Sequence, residues 1–153
     1  MADLSLDDIL VSPLKRITTD GGKVMHALKK SDNGYNGFGE AYFSWVEQGA
    51  IRAWKCHQRM TLNLVVPLGE VRFVFHCDGH ITKQKSETYN EFRSEKLGKS
   101  RYSRITVPPG IWFGFQGLAP GHSLLMNLAD MEHDPKEVLR KGTTVFRFDW
   151  SVK

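Results

Sequence analysis

"RITVPPGIWFGF", residues 104–115, decides how the rest of the chain is read. Two short runs rich in β-branched and aromatic residues flank a Pro-Pro-Gly turn, and such runs favour strands over helices. Similar runs lie on both sides of it: "GEAYFSWV" (39–46), "AIRAWKCH" (50–57), "MTLNLVVPLG" (60–69), "VRFVFHC" (71–77), "HSLLMNL" (122–128) and "TVFRFDW" (144–150). With "SRITVP" (103–108) and "GIWFGF" (110–115) they make eight predicted strands. Turn signals such as "DNGYNG", "EQG", "CDGH" and "LAPG" punctuate them. Many short strands with almost no helix predict an all-β sandwich or barrel. Helical signals are confined to the ends. "LSLDDIL" predicts a short N-terminal turn, and "DPKEVLRKG" a short helix or turn with Asp134 as cap and Pro135 at the first helical position. Pro67 interrupts an apolar run and predicts an edge or a bulge, because it has no N–H to give to a ladder.

The 153 residues suit one domain, 1–153, with one core. The chain is 41% hydrophobic and 25% charged, and no repeat or low-complexity tract marks a linker. No apolar run approaches the roughly 20 residues that cross a bilayer. The acidic start "MADLSLDDIL" lacks a basic region ahead of an apolar stretch, so no signal peptide is expected. Cys56 and Cys77 alone give no disulfide framework, which points to a reducing, cytoplasmic setting. The net charge of +4 favours an anionic partner, either nucleic acid or a pyrophosphate-bearing metabolite. The cations are dispersed, and no zinc-finger spacing, helix-turn-helix pattern or basic arm is present. Nucleic acid is therefore not expected.

Alternation along 50–57 puts Ala53, Lys55 and His57 on one face and Arg52, Trp54 and Cys56 on the other. Each face carries a cation, so alternation alone does not say which one is inward. By the same rule Trp112 faces away from Phe113 and Phe115. His76 and His80 bracket the turn "HCDGH", a spacing poor for tetrahedral ligation and one expected to leave both in solvent. "GGK" (21–23) reads as a turn.

Several of these stretches resemble dTDP-4-dehydrorhamnose 3,5-epimerases. "FGEAYFSWVEQGAIRAWKCHQ" (38–58) resembles the segment that runs into their Arg-Gly-Leu-His strand, and "GEVRFVF" (69–75) their Gly-Glu-Val-Phe-Asp-Val strand. "SETYNEF" (86–92) resembles their Ser-Pro-Thr-Tyr-Gly segment, and "RITVPPGIWFGF" their Ile-Pro-Pro-Gly-Phe-Ala-His-Gly-Phe signature. "EHDPKEVLR" and "FRFDW" are similar to the family's tail. The resemblance implies a cupin-like double-stranded β-helix, or jelly-roll barrel, usually a homodimer. It implies action on a nucleotide-linked 4-keto-6-deoxy sugar in bacterial surface-polysaccharide synthesis.

Carried over residue by residue, Arg52 stands at the family's Arg, Lys55 at its catalytic His, and Glu40 and Tyr42 at its Gln and Asn. Phe113 replaces the loop His and Met126 the acidic Tyr, so the usual His/Tyr pair is absent. The cupin metal pattern is likewise reduced: Lys55-Cys56-His57 stands where His-x-His is found, and no metal or other cofactor is expected.

Moving a proton beside a ketone needs a base, a donor and a group to hold the enolate oxygen. His57, which titrates near neutrality, is the better base. Lys55 in its charged form suits enolate or phosphate stabilisation, and Tyr42 returns the proton. Tyr89 and Tyr102 read as half-buried strand residues. Arg52 is the expected anion contact. Glu40 is expected beside Lys55, as an ion pair or an acid–base couple. Asn63 and Asn127 either hydrogen-bond a ligand or satisfy backbone inside the barrel. Phe113 and Phe115 offer aromatic faces, whereas Trp54 reads as core or dimer interface. The expected function is a sugar-nucleotide 3,5-epimerase or ketoisomerase; the alternative is a non-catalytic cupin that binds carbohydrate or nucleotide sugar.

Overall fold

The computed structural model describes residues 4–78 and 91–152. A single turn of 3-10 helix, Leu6–Asp8, opens the described chain. The Ser5 hydroxyl accepts from the Asp7 N–H (3.1 Å) and the Asp8 carboxylate accepts from the Ser5 N–H (2.8 Å), which closes its free N-terminal groups.

Everything else regular is strand: β1 (Leu10–Pro13), β2 (Arg16–Thr19), β3 (Gly22–Met25), β4 (Glu40–Glu47), β5 (Ile51–His57) and β6 (Leu62–Leu68). They are followed by β7 (Glu70–His76), β8 (Phe92–Gly98), β9 (Ser103–Val107), β10 (Trp112–Gly117), β11 (His122–Ala129) and β12 (Val138–Arg140). Two five-stranded sheets form, in the orders β1-β9-β6-β11-β4 and β12-β5-β10-β7-β8, and β2-β3 is a separate hairpin. All the ladders are antiparallel. This is the jelly roll that the resemblance implies.

The core lies between the sheets. Leu62, Leu64 and Val66 of β6 and Ile105 and Val107 of β9 meet Val71, Phe73 and Phe75 of β7. Period-2 alternation then commits the intervening residues to the outer faces. On the outer face of the second sheet Trp54, Cys56, Val74 and Trp112 form another cluster, covered by Phe146, Phe148 and Trp150. "TVFRFDW" is thus not the strand its pattern predicts. Its alternating aromatics pack onto the sheet face, but its backbone joins no ladder. His76 is also not in solvent: it is 4% exposed, stacked on the Phe92 ring and in tilted contact with Phe146. His80 and Tyr89 lie outside the described residues.

Pro67 sits beside a register shift between β6 and β11, where Leu124 pairs with Leu68 but Met126 pairs with Val65. The bulge expected of it is present; the edge is not, since β6 is central. Of the short helix or turn expected at "DPKEVLRKG", the turn forms, over 135–137. Lys136 N–H donates to Asp134 Oδ1 (2.9 Å) in a turn, and β12 then pairs with the open edge of β5, Val138 opposite His57 and Arg140 opposite Lys55.

Candidate active site

A cavity of about 120 Å3 lies between the sheets, next to the edges formed by β4 and β12. The second sheet contributes Arg52, Lys55 and His57 from β5, Phe113 and Phe115 from β10, and Val138 and Arg140 from β12. The first contributes Glu40, Tyr42 and Ser44 from β4, and Leu125 and Asn127 from β11. Met60, Leu62 and Leu64 line it from one side, and His133 reaches it from the segment before β12.

Strict alternation sends Arg52 outward, and here the structure departs from it. Phe113 pairs with Lys55 but Gly114 with Ala53, so Trp54 is a surplus residue in β5. This β-bulge resets the phase. Arg52 then lines the cavity with Lys55 and His57, while Ala53, Trp54 and Cys56 join the outer cluster. The surplus residue is not left unpaired: Trp54 N–H donates to Lys141 O (2.9 Å) and Lys141 N–H to Trp54 O (3.0 Å). Gly114 is required opposite the bulge, because a Cβ there would come 2.5 Å from the Ala53 Cβ.

His57 is held from three sides. Its carbonyl accepts from Gly110 N–H (2.7 Å) of the Pro-Pro-Gly turn. Its ring stacks on Phe113, centroids 6.0 Å apart. Its Nδ1 meets Glu137 Oε1, whose side chain is 1% exposed. Glu137 Oε2 accepts from the backbone N–H groups of Gln58 (3.1 Å), Arg59 (3.0 Å) and Met60 (3.1 Å). Burial by itself raises the Glu137 carboxyl, but the hydrogen bond from His57 and the backbone donors hold it below the usual range. An ionised carboxylate only accepts, so Nδ1 carries the hydrogen and Nε2 is left with its lone pair. Burial lowers the His57 pKa, and Glu137 only partly offsets it, so the ring is neutral at pH 7.

Lys55 is also depressed, first by burial and then by Arg140 and Arg52. The expected ion pair with Glu40 is not formed, and among the described residues no acid pairs with Lys55. Arg52 lies over the Phe115 ring, 5.7 Å from its centroid. Across the cavity Asn127 Nδ2 donates to the Tyr42 hydroxyl (3.0 Å), while Asn127 Oδ1 is buried with no partner.

Crystal structures of known proteins resemble this fold. A dTDP sugar isomerase from Desulfovibrio desulfuricans G20 shares 31% identity, with 94% of this chain and 91% of that chain covered and a TM-score of 0.87. The chain belongs to the dTDP-sugar isomerase family. The fold is shared with a sugar 3,4-ketoisomerase from Thermoanaerobacterium thermosaccharolyticum in complex with TDP (18% identity, 89% and 90% covered, TM-score 0.71). It is shared too with dTDP-4-dehydrorhamnose 3,5-epimerase from Elizabethkingia anophelis NUHP1 (15%, 99% and 86%, 0.76). No family model matches the sequence, and neither does any curated protein.

Within this dTDP-sugar isomerase family chain, one substrate-binding candidate lies elsewhere. Asn63 is on the outer face of the first sheet. Its Oδ1 accepts from Arg104 Nε (3.0 Å) and Thr106 Oγ1 (2.6 Å), and its Nδ2 donates to Gly34 O (3.1 Å). It ties the 26–36 segment to the outer face of the sheet and does not line this cavity. Met126, aligned with the family's Tyr, is likewise absent from the cavity lining, which takes Leu125 and Asn127 on either side of it. Tyr102 is 7% exposed and donates to His26 O (2.8 Å), away from the cavity. Sequence reasoning missed Glu137, Arg140 and His133. The similarity of "EHDPKEVLR" to the family's tail was the available signal, but nothing in it pairs residue 137 with residue 57. Among the described residues, no group of three or more His, Cys, Asp or Glu is placed to hold a metal ion, and no helix is long and apolar enough to cross a membrane.

Proposed function

We propose that this chain is a proton-transferring nucleotide-sugar isomerase, an epimerase or ketoisomerase of a nucleoside-diphosphate-linked 4-keto-6-deoxy sugar. The observation that carries the reading is the His57–Glu137 pair in a cavity whose other charged walls are mostly cationic. A ketone needs a neutral base beside it and positive charge near its oxygen. His57 Nε2 is that base, oriented by Glu137. Arg52 and Arg140, both exposed at the rim, receive the diphosphate. Lys55 stands at the carbonyl end, and Tyr42, on the sheet opposite His57, returns a proton. Phe113 and Phe115 pack against the ring; Glu40 and Asn127 Oδ1 accept from its hydroxyls. The cavity is smaller than the roughly 300–1,000 Å3 of pockets that engulf a whole drug-sized ligand. It suits the sugar ring, with the nucleotide lying across the rim. The family's chemistry supports a role in making activated deoxysugars for surface polysaccharide, a cytoplasmic task.

The test is incubation with the nucleotide-linked 4-keto-6-deoxy sugar in deuterium oxide. Deuterium should appear at the carbons flanking the ketone, and the product's NMR spectrum separates epimer from keto isomer. The ligand should also raise the melting temperature, by about 2.7 kcal/mol of stability at a hundredfold excess over Kd. A thermal shift with no exchange would leave a non-catalytic nucleotide-sugar-binding cupin, and no response of either kind removes the ligand class.

We infer also that two copies pair through β4. Among the described residues this eight-residue strand ends its sheet with one side unpaired, and its outward face exposes Phe43 (60%) and Trp45 (61%). An open edge with an apolar face is an aggregation hazard unless covered. Sedimentation velocity should give a dimer that Trp45→Lys dissociates; a wild-type monomer at micromolar concentration sinks this reading.

A further inference from the structure

Lys55 occupies an electrostatically unfavourable place. Arg140 is directly opposite it in the β5–β12 ladder, and Arg52 enters the same cavity from its own strand. Like charges directly opposite in a sheet destabilise it. Arg140 is exposed and can turn to water, whereas Lys55 is half-buried. The groups facing it complete the setting: His57 on β5, Glu40 on β4 and His133 before β12, with no acid in ion-pair range among the described residues. A structural lysine is expected to find a carboxylate or to reach solvent. A half-buried lysine with an arginine opposite it in the ladder, a second arginine lining the same cavity and no carboxylate partner instead sheds its proton more readily, as burial first and then both arginines lower its pKa.

Given the function proposed above, we propose that Lys55 acts as an amine nucleophile that forms a protonated Schiff base with the keto group of the sugar. Lys55 and His57 are two residues apart on one face of β5, about 6.6 Å at a strand's rise of roughly 3.3 Å per residue. That spacing lets a flexible four-carbon amine reach a carbonyl carbon while the imidazole addresses the carbon beside it.

The step balances with one proton, borrowed from solvent on iminium formation and returned on hydrolysis. The neutral Nζ attacks the carbonyl carbon, the C=O π pair moves to oxygen, and the nitrogen's proton passes to that oxygen. One further proton, taken from solvent at the open rim, joins that hydroxyl, and water leaves as the C=N bond forms, giving a protonated iminium. His57 Nε2 removes the proton from the neighbouring carbon, and the C–H pair becomes the C=C bond of an enamine as the C=N pair returns to nitrogen. Reprotonation at carbon regenerates the iminium, and water adds back to release the ketone, the neutral amine and the borrowed proton. The iminium is a stronger electron sink than the ketone, and this compensates for a cavity in which no acid stands at the family's usual tyrosine position.

The test is reductive trapping. The protein is incubated with nucleotide-linked 4-keto-6-deoxyglucose and sodium cyanoborohydride, then digested and mapped by mass spectrometry. The expected result is a secondary-amine adduct at Lys55, lost in a Lys55→Arg variant whose folding is verified by its melting temperature. Absence of an adduct in the wild type, or labelling that persists in Lys55→Arg, overturns the proposal. The two readings fail separately. Deuterium exchange without an adduct keeps the isomerase and discards the Schiff base, whereas loss of exchange removes the isomerase itself.

Discussion

His57→Asn lowers deuterium exchange by about 10²–10⁴-fold, the usual loss when a positioned general base is removed. Asparagine is the informative replacement. Its amide nitrogen takes the place of Nδ1 and still donates to Glu137, so the anchor and the neighbouring backbone bonds stay in place. What disappears is Nε2, the nitrogen with a lone pair. The nucleotide sugar should still raise the variant's melting temperature, which separates loss of chemistry from loss of binding. The pH profile carries a second signature. Exchange needs the neutral imidazole, so in the wild type it falls as pH drops through a pKa below the ordinary 6.5. Burial sets that direction, Glu137 opposes it, and Lys55 and Arg140 reinforce it. Glu137→Gln removes the opposing charge and should move the acid limb to still lower pH. An unchanged exchange rate in His57→Asn would falsify the assignment of the base.

Glu137→Ala is expected to have the largest effect on stability. One carboxylate accepts three backbone N–H groups and the imidazole, in a place where its side chain is 1% exposed. Removing the shared acceptor leaves four donors unsatisfied, at about 1–3 kcal/mol for each one that water does not reach, so a loss of about 3–5 kcal/mol is expected. For a domain of this size that is a fall in Tm of about 6–20 °C, at roughly 2–4 °C per kcal/mol. Calorimetry checks it, and a fall of under about 1 kcal/mol would mean that water satisfies these donors. The pair also makes the protein acid-sensitive. His57 has a folded pKa below 6.5, so the unfolded chain binds its proton first and stability declines as pH falls below 6.5. Glu137 has a folded pKa below 4.5; its contribution is complete above 4.5 and is lost as pH falls through the depressed value. The two act in the same direction, and Glu137→Gln should flatten the lower part of the curve.

Alternation was enough to read part of the site. Trp112 faces out while Phe113 and Phe115 face in, and Lys55 shares a face with His57, because those stretches keep the period of two. The same rule contains the answer for Asn63. Met60, Leu62, Leu64 and Val66 form the apolar phase of their run, and Asn63 falls in the other. Asn127 carries no such signal, since apolar residues flank it in both phases of "HSLLMNLA". Arg52 was misplaced because a bulge adds a residue without leaving a Gly or Pro in β5 to announce it. Its glycine, Gly114, stands on the neighbouring strand. Glu137 was out of reach for another reason. It meets His57 across 80 positions of chain, through a β12 ladder whose three residues read locally as the end of a helix. "TVFRFDW" shows the converse: a correct two-residue period identifies a buried side but cannot say whether a neighbouring backbone is available to complete a sheet.

The surplus residue at Trp54 has a consequence for inheritance. Three basic side chains reach one chamber only because a single codon puts the strand out of step, and its indole is fastened on the far side by Thr143 O (3.2 Å). A lineage that lost that codon would keep nearly the same composition, yet Arg52 would swing to the back of the sheet and the rim would lose half its guanidinium pair. The basic character of the rim therefore depends on an insertion at one position, and deleting Trp54 alters it with every other residue left unmutated.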